Sequence, residues 1–246
     1  YSTVIVTRNR PEALALSLPL MLEQSRLPQD ILVVDSSDDP APNKALVDRL
    51  AAQTAVPLRH MTSPAGMTVQ RNIGLAQVSS EVVFFPDDDS LVLPGTLEAM
   101  MRIYDLDTQG IVGGVCSAEA KAPPQGVLKG PGAGYQMTTA DRLKAKIARM
   151  RFAFEERFFR DPFFLVAERK YARMPGAPSW MAAENAILVP WMTGFRMSYR
   201  TELVRRTGFN EHLGRYALFE DTDACFGILR DHLLVGARNA QIYHHK

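Results

Sequence analysis

Apolar and polar positions along the first half of the chain alternate between short hydrophobic runs and longer amphipathic stretches. Residues 3–7 form a β-branched run that predicts a strand, and Pro11 opens a first helical turn with Leu14, Leu18 and Leu22 behind it at helical spacing. The same unit recurs as a strand over 31–34 ending in Asp35, then a helix over 41–52. A strand over 56–61 and a helix over 68–77 follow. A strand over 82–85 stops at Pro86, a helix spans 94–104 and a strand covers 111–116. The run over 31–34 is apolar on successive residues rather than every second one, the pattern of a strand covered on both faces. Strands alternating with helices in this way predict a doubly wound α/β layer with right-handed crossovers.

From residue 118 the pattern changes. Pro123, Pro124, Gly126, Gly130, Pro131, Gly132 and Gly134 crowd one stretch and break regular structure. Residues 141–173 then read as helix, interrupted at Pro162. Residues 142–173 hold ten Lys or Arg against four Glu or Asp, with phenylalanines interleaved. Two readings lead for this segment: a lid helix packing its phenylalanines on the domain, or an element lying on a membrane surface; a nucleic-acid surface is a weaker third, since no binding motif accompanies the charges. Order returns after Pro178, with a strand over 191–199, a helix over 201–206 closed by Gly208, a helix over 220–230, and terminal strands over 233–237 and 241–243. The last of these delivers His244 and His245 to a strand end.

Composition narrows the class. The 246 residues suffice for one good core, and 46% of them are hydrophobic. A net charge of +1 and the lack of a binding motif give no sign of a nucleic-acid partner. Cys116 and Cys225 are far apart, lie among apolar neighbours and lack CxxC spacing, which predicts buried free thiols in a reducing compartment. With no run of eighteen apolar residues and no signal pattern before Val4, the expected location is the cytoplasm, with peripheral contact at the inner face of the membrane through 142–173.

Candidate chemistry concentrates in carboxylates. Asp87, Asp88 and Asp89 follow one another directly, and adjacent like charges persist only where water or a cation screens them. Hard divalent cations prefer such oxygens, and ligands in open α/β sheets bind outside the carboxyl ends of the strands. A solvated acidic loop is the simpler alternative. Glu220 and Asp221 fall in a first helical turn, which the helix dipole favours whether or not they react.

Taken in order, these features resemble the inverting family-2 glycosyltransferases of the GT-A fold. Val4-Ile-Val-Thr-Arg-Asn-Arg-Pro-Glu12 is similar to that family's first strand and loop, with Arg8 in place of the usual Tyr. Ile31 to Asp35 resembles its second strand, Gln70-Arg71-Asn72-Ile73-Gly74 its Ala-Arg-Asn-Xaa-Gly segment, and Phe85-Pro-Asp-Asp-Asp89 its DxD signature. Gly194-Phe-Arg196, Gly208-Phe-Asn-Glu211 and Phe219-Glu-Asp221 resemble the second-half pattern. Pro86, Asn210 and Ser36-Ser37 depart from it, and 118–190 has no counterpart.

The resemblance implies a single GT-A domain over 1–246, a Rossmann-like three-layer α/β/α fold with a mostly parallel central sheet and a helical insertion. Residues 1–117 would bind the nucleotide-sugar, 118–190 would form the insertion or lid, and 191–246 would hold the acceptor and the catalytic pair. It places Thr7, Asn9, Asp35, Arg71, Asp87 and Asp88 at the donor, with Asp35 on the base. Asp89 would ligate Mn²⁺ or Mg²⁺, with His244 or His245 adding a nitrogen. Asp221 would be the general base, with Glu220 orienting the loop or acceptor. The implied partners are a UDP-, GDP- or dTDP-linked sugar and a glycan, lipid-linked or other hydroxyl acceptor. Two alternatives remain at this level: a nucleotidyltransferase, although the first loop lacks glycine, and a non-catalytic sugar-nucleotide-binding module.

Overall fold

The structure, a computed structural model, describes residues 1–128, 162–174, 176–213, 217 and 219–245. The chain divides into two compact units, Tyr1–Pro124 with Pro178–Lys246, and Gln125–Ala177. In the first unit the chain runs through β1 (Ser2–Thr7), α1 (Pro11–Leu22), β2 (Asp30–Asp35), α2 (Ala41–Ala51), β3 (Leu58–Thr62) and α3 (Met67–Gln77). It continues through β4 (Val82–Pro86), β5 (Ser90–Val92), α4 (Thr96–Leu106) and β6 (Val112–Glu119). The second unit contains α5 (Pro162–Ala172). The first resumes with α6 (Trp180–Ala183), β7 (Ala186–Leu188), β8 (Arg196–Arg200), α7 (Thr201–Thr207), α8 (Glu220–Leu229) and β9 (Leu233–His244).

Among the described residues, nine strands make one sheet in the order β3-β2-β1-β4-β8-β6-β9-β5, with β7 also paired to β9. Six of the nine, β1, β2, β3, β4, β6 and β9, run the same way, and β5, β7 and β8 oppose them. This is the mostly parallel sheet that the apolar runs predicted. In β2, Ile31 through Val34 are all fully buried, and Val83 to Phe85 of β4 likewise. Each such side chain contributes roughly 1.5–3 kcal/mol by leaving water. Helix α1 packs with α2, and α7 packs with both α3 and α8. Gly74 lets α3 lie close on the sheet, because a Cβ there would fall 2.4 Å from Val4 Cγ1.

Several expected boundaries shift. The two expected terminal strands are one, β9; Ser117 pairs with Ala237 and the next residue, Ala118, with Gln241, so Arg238, Asn239 and Ala240 form a bulge. That bulge is the polar interruption visible in the sequence. Of the expected strand over 191–199, only Arg196–Arg200 pairs, against β4 and β6. The sheet unit resumes at Pro178 and takes in α6 and β7, so it reclaims part of the segment expected to be insertion. The expectation for residues 142–161 lies outside the described residues. Among the described residues, no helix is long and apolar enough to cross a membrane. Both cysteines are buried and free, and burial pushes the Cys116 thiol up to about 11 and Cys225 up to about 12.

Candidate active site

Parallel pairing brings the ends of three strands to one edge. Thr7 stands beside Asp35 in the β1–β2 register, and Val6 bridges Asp87 just past β4. The Gln70 amide from α3 ties the strand ends by donating to the carbonyls of Thr7 (2.9 Å) and Val34 (2.8 Å). The acidic turn is then closed from within. Asp87 N–H donates to Ser90 Oγ at 3.0 Å, Ser90 N–H to the Asp87 carbonyl at 3.1 Å, and the Ser90 hydroxyl to the Phe195 carbonyl at 2.8 Å.

Three cationic or potentially cationic side chains from distant parts of the chain converge on this turn. Arg71, 1% exposed, holds Asp87 Oδ1 at 3.1 Å and Glu220 Oε1 at 2.5 Å, with its guanidinium 5.4 Å from the Phe209 ring centre. Arg10 spans Asp88 Oδ1 at 2.8 Å and Asp89 Oδ2 at 2.6 Å. His244 Nε2 lies 3.2 Å from Asp89 Oδ1. Antiparallel pairing of β5 with β9 sets His244 opposite Ser90, next to Asp89, and the imidazole stacks on Phe195 at 4.5 Å between ring centres. On the inner side, Thr7 donates its hydroxyl to Asp88 Oδ2 at 2.7 Å.

The electrostatics differ between neighbours. Burial pushes the Asp88 carboxyl up to about 6, with the Thr7 hydrogen bond and Arg10 opposing the rise. Asp87 is also raised by burial, against the pull of Arg71, although its side chain keeps 28% of its surface. Asp89 moves the other way, because its contacts with His244 and Arg10 outweigh the cost of burial. Asp87, Asp89 and His244 each offer a ligating atom, all within 4.8 Å of one another. Asp89 Oδ1 is buried, and although His244 is close, no aligned hydrogen bond satisfies it. Two carboxylate oxygens and an imidazole nitrogen are a donor set that a divalent cation of the Mn²⁺ kind accepts.

The second half of the chain supplies the other wall. Asn72 pairs both ways with the Phe209 peptide, each bond 2.8 Å, joining positions 137 residues apart. At the start of α8, Asp221 Oδ2 accepts the Gly194 N–H at 3.0 Å and Oδ1 accepts the Thr222 N–H at 2.7 Å. A Cβ at Gly194 would stand 3.0 Å from Glu220 Oε1 and 3.2 Å from Arg71 Nη2, so a side chain there would press on both members of that ion pair. Burial raises the Glu220 carboxyl and the neighbouring Asp221 adds to this, while Arg71 opposes it.

Residues 2–172 match the sequence profile described as glycosyl transferase family 2. The chain belongs to glycosyl transferase family 2. An uncharacterized glycosyltransferase of Bacillus subtilis (strain 168), YwdF, is 31% identical over 102 residues, covering 41% of this chain and 37% of that protein. Among solved structures, the mannosyltransferase PcManGT from Pyrobaculum calidifontis, in complex with GDP-Man and Mn²⁺, aligns over 98% of this chain and 55% of its own. Its TM-score is 0.60 at 17% identity. S. aureus TarS 1-349 with UDP-GlcNAc aligns over 100% of this chain and 58% of its own, with TM-score 0.58 and 16% identity. GalNAc-T7 with UDP, GalNAc and Mn²⁺ gives TM-score 0.63 at 11% identity, over 99% of this chain and 43% of that one. At such identities the likeness is one of fold, and that fold is GT-A. The family-2 chain here spans 37% of its Bacillus relative and at most 58% of these three neighbours.

Within this family-2 domain the expected residues fall into two groups. Thr7, Arg71, Asp87, Asp88, Asp89, Glu220 and His244 form one connected network through the contacts above. Asp221 adjoins it through Gly194. Three others have different surroundings. Asp35, whose side chain is fully buried, accepts from Ser37 N–H (2.8 Å) and Asn43 Nδ2 (3.0 Å) and meets His60 Nε2 at 3.1 Å, so it presents no surface to a base. Those bonds hold its carboxyl below the usual range despite burial. Asn9, in the left-handed region at φ 54°, pairs its side chain with Asp38 and fastens the β1 loop to the β2 loop. His245 lines a cavity beside α1 together with Arg10, and its backbone N–H donates to the Asp89 carbonyl at 3.1 Å. Arg10 was missed as a site residue: its carboxylate partners lie 78 and 79 positions away, and nothing local in the sequence signals the pairing.

Proposed function

We propose that this chain transfers a sugar from a nucleoside diphosphate donor to an acceptor hydroxyl with inversion, with Mn²⁺ or Mg²⁺ held by Asp87, Asp89 and His244 and with Asp221 as general base. The observation that carries the reading is the set of three ligating atoms within 4.8 Å at the carboxyl ends of parallel strands, where α/β sheets bind nucleotides. That PcManGT holds GDP-Man with Mn²⁺ and TarS holds UDP-GlcNAc on the same fold supports the donor class.

When bound, the cation supplies Lewis acidity toward the diphosphate and neutralises charge on the leaving group. This chain's own residues do the remaining work. Thr7 fixes Asp88, so that Asp87 and Asp89 on either side of it hold their orientation. Arg71 spans the donor-side Asp87 and the acceptor-side Glu220, fixing the distance between the two halves of the site. Asp221, set by two backbone donors, takes the proton from the attacking hydroxyl. One base and one in-line displacement leave no role for a covalent glycosyl-enzyme, hence inversion. Ser36 and Ser37 beyond β2, rather than Asp35 itself, face the base in this reading. The acceptor, glycan or lipid-linked, belongs to the second half of the chain, residues 191–246.

The test is thermal unfolding with UDP, GDP or dTDP, in Mn²⁺ and in EDTA. A ligand at a hundred times its Kd stabilises by about 2.7 kcal/mol. One of the three nucleotides should raise Tm with Mn²⁺ and lose that effect in EDTA. Equal stabilisation in both would remove the metal from the account.

A further inference from the structure

We infer that Arg10 is an internal counter-ion of the acidic turn, one that competes with the divalent cation for Asp89 and, once displaced, pairs with the donor's diphosphate. The inference rests on the metal site proposed above. Arg10 donates from Nη1 to Asp88 Oδ1 at 2.8 Å and from Nη2 to Asp89 Oδ2 at 2.6 Å. The two carboxylate side chains are 5% and 6% exposed, whereas Arg10 keeps 47% of its own surface. The carboxylates are therefore fixed parts of the wall, and the guanidinium reaches them from solvent on a long arm.

Charge makes the arrangement competitive. Arg71 divides itself between Asp87 and Glu220, so the charge of Asp88 and Asp89 falls mainly to Arg10 and the neighbouring His244. A divalent cation on Asp89 would share one carboxylate with the guanidinium, and two cations a few ångströms apart at a partly exposed site repel by several times thermal energy. Arg10 has somewhere to go. A cavity of about 250 Å³ opens beside it, lined also by Asn9, Glu12 and His245, and Glu12 offers a second carboxylate. The planar fork that now spans two carboxylates also matches two phosphate oxygens, which a Lys ammonium does not.

The rival role is a plain clamp that shapes the acidic turn, and it predicts the opposite effect on metal affinity. Free Mn²⁺ is followed by its EPR signal during titration of wild type, Arg10→Met, Arg10→Lys and Asp89→Asn, with Tm confirming that each folds. Removing the competing charge should tighten Mn²⁺ binding by about tenfold in Arg10→Met, with Arg10→Lys near wild type. UDP or GDP, whichever stabilises the wild type, should then bind Mn²⁺-loaded Arg10→Met and Arg10→Lys more weakly, because both lack the fork. Mn²⁺ binding that is unchanged or weaker in Arg10→Met overturns the inference, as does unchanged nucleotide affinity. Binding by Arg10→Met but not by wild type supports it. Failure of all four proteins to bind Mn²⁺ overturns the metal site and this inference together, whereas binding that depends on Asp89 but is indifferent to Arg10 overturns the inference alone.

Discussion

Two acidic stretches look alike in the sequence, Asp87-Asp88-Asp89 after β4 and Glu220-Asp221 at the start of α8, and the fold neutralises them by different means. The first draws side chains from three remote places: Arg10 from the β1 loop, Arg71 from α3 and His244 from the end of β9. The second is met mostly by backbone, through Gly194 N–H, Thr222 N–H and the positive end of its own helix, with Arg71 as its cationic partner on Glu220. Among the three side chains, Arg10 is the one on a half-exposed arm, and in the inference above it is the one exchanged for a metal. Backbone donors cannot leave, so they hold a carboxylate in one place, as a general base requires. Arg71 is the point where the two regions meet.

The largest effect should therefore come from cutting that link. Arg71→Met leaves Glu220 and Asp87 without their buried partner, and breaking such a pair costs about 3–5 kcal/mol. Denaturant unfolding measures it, and a loss below about 1 kcal/mol would mean that the two acidic regions stand independently.

A smaller effect should separate the regions by backbone strain. Phe219, directly before Glu220, is 66% exposed and lies in the left-handed region at φ 70°. That conformation costs a side-chain-bearing residue about 1–2 kcal/mol, of which glycine would return part through its own entropy loss. Phe219→Gly should thus stabilise the protein by about 0.5–1 kcal/mol, read from the unfolding midpoint. Destabilisation would show that the ring packs rather than strains.

The smallest effect lies in pH dependence, and it should have opposite signs in the two regions. Asp89 has a folded pKa below its ordinary value, so its contribution is present above about pH 4 and is lost as pH falls through the folded pKa. Glu220 has a folded pKa above its ordinary value, so its contribution declines as pH rises from its unfolded pKa through its folded pKa. In EDTA, the Tm deficit of Asp89→Asn against wild type should shrink on acidification below about pH 4, whereas Glu220→Gln should improve against wild type as pH rises from about 4. Parallel profiles for the two variants would erase the distinction.

Most of the first half of the sheet was legible in the sequence because strands there are fully covered, and full coverage writes itself as continuous apolar runs such as Ile31 to Val34. Short elements were not. Ser90–Val92 has three residues and no period to detect, yet its pairing with β9 sets His244 beside Asp89. The carboxylates of the site announced themselves by type and order, and the fold brought seven of the expected residues into one network. Of their cations, Arg71 was legible through its Arg-Asn-Xaa-Gly segment, whereas Arg10 meets partners 78 and 79 positions away, and that matching depends on tertiary geometry. The partners of Asp35 were equally hidden: Ser37, Asn43 and His60 meet its buried carboxylate, and nothing local in the sequence announces the last two.

The division of labour between the two acidic regions is tested most directly by calorimetric titration of the stabilising nucleoside diphosphate, in Mn²⁺, into Asp89→Asn and Asp221→Asn. Asp221→Asn should bind it with wild-type affinity even as transfer falls by about a hundredfold or more, the usual share of a positioned base. Asp89→Asn should lose the Mn²⁺-dependent affinity. Equal loss in both variants, or wild-type affinity in both, would contradict the assignment of donor and metal to the turn after β4 and of the base to the start of α8.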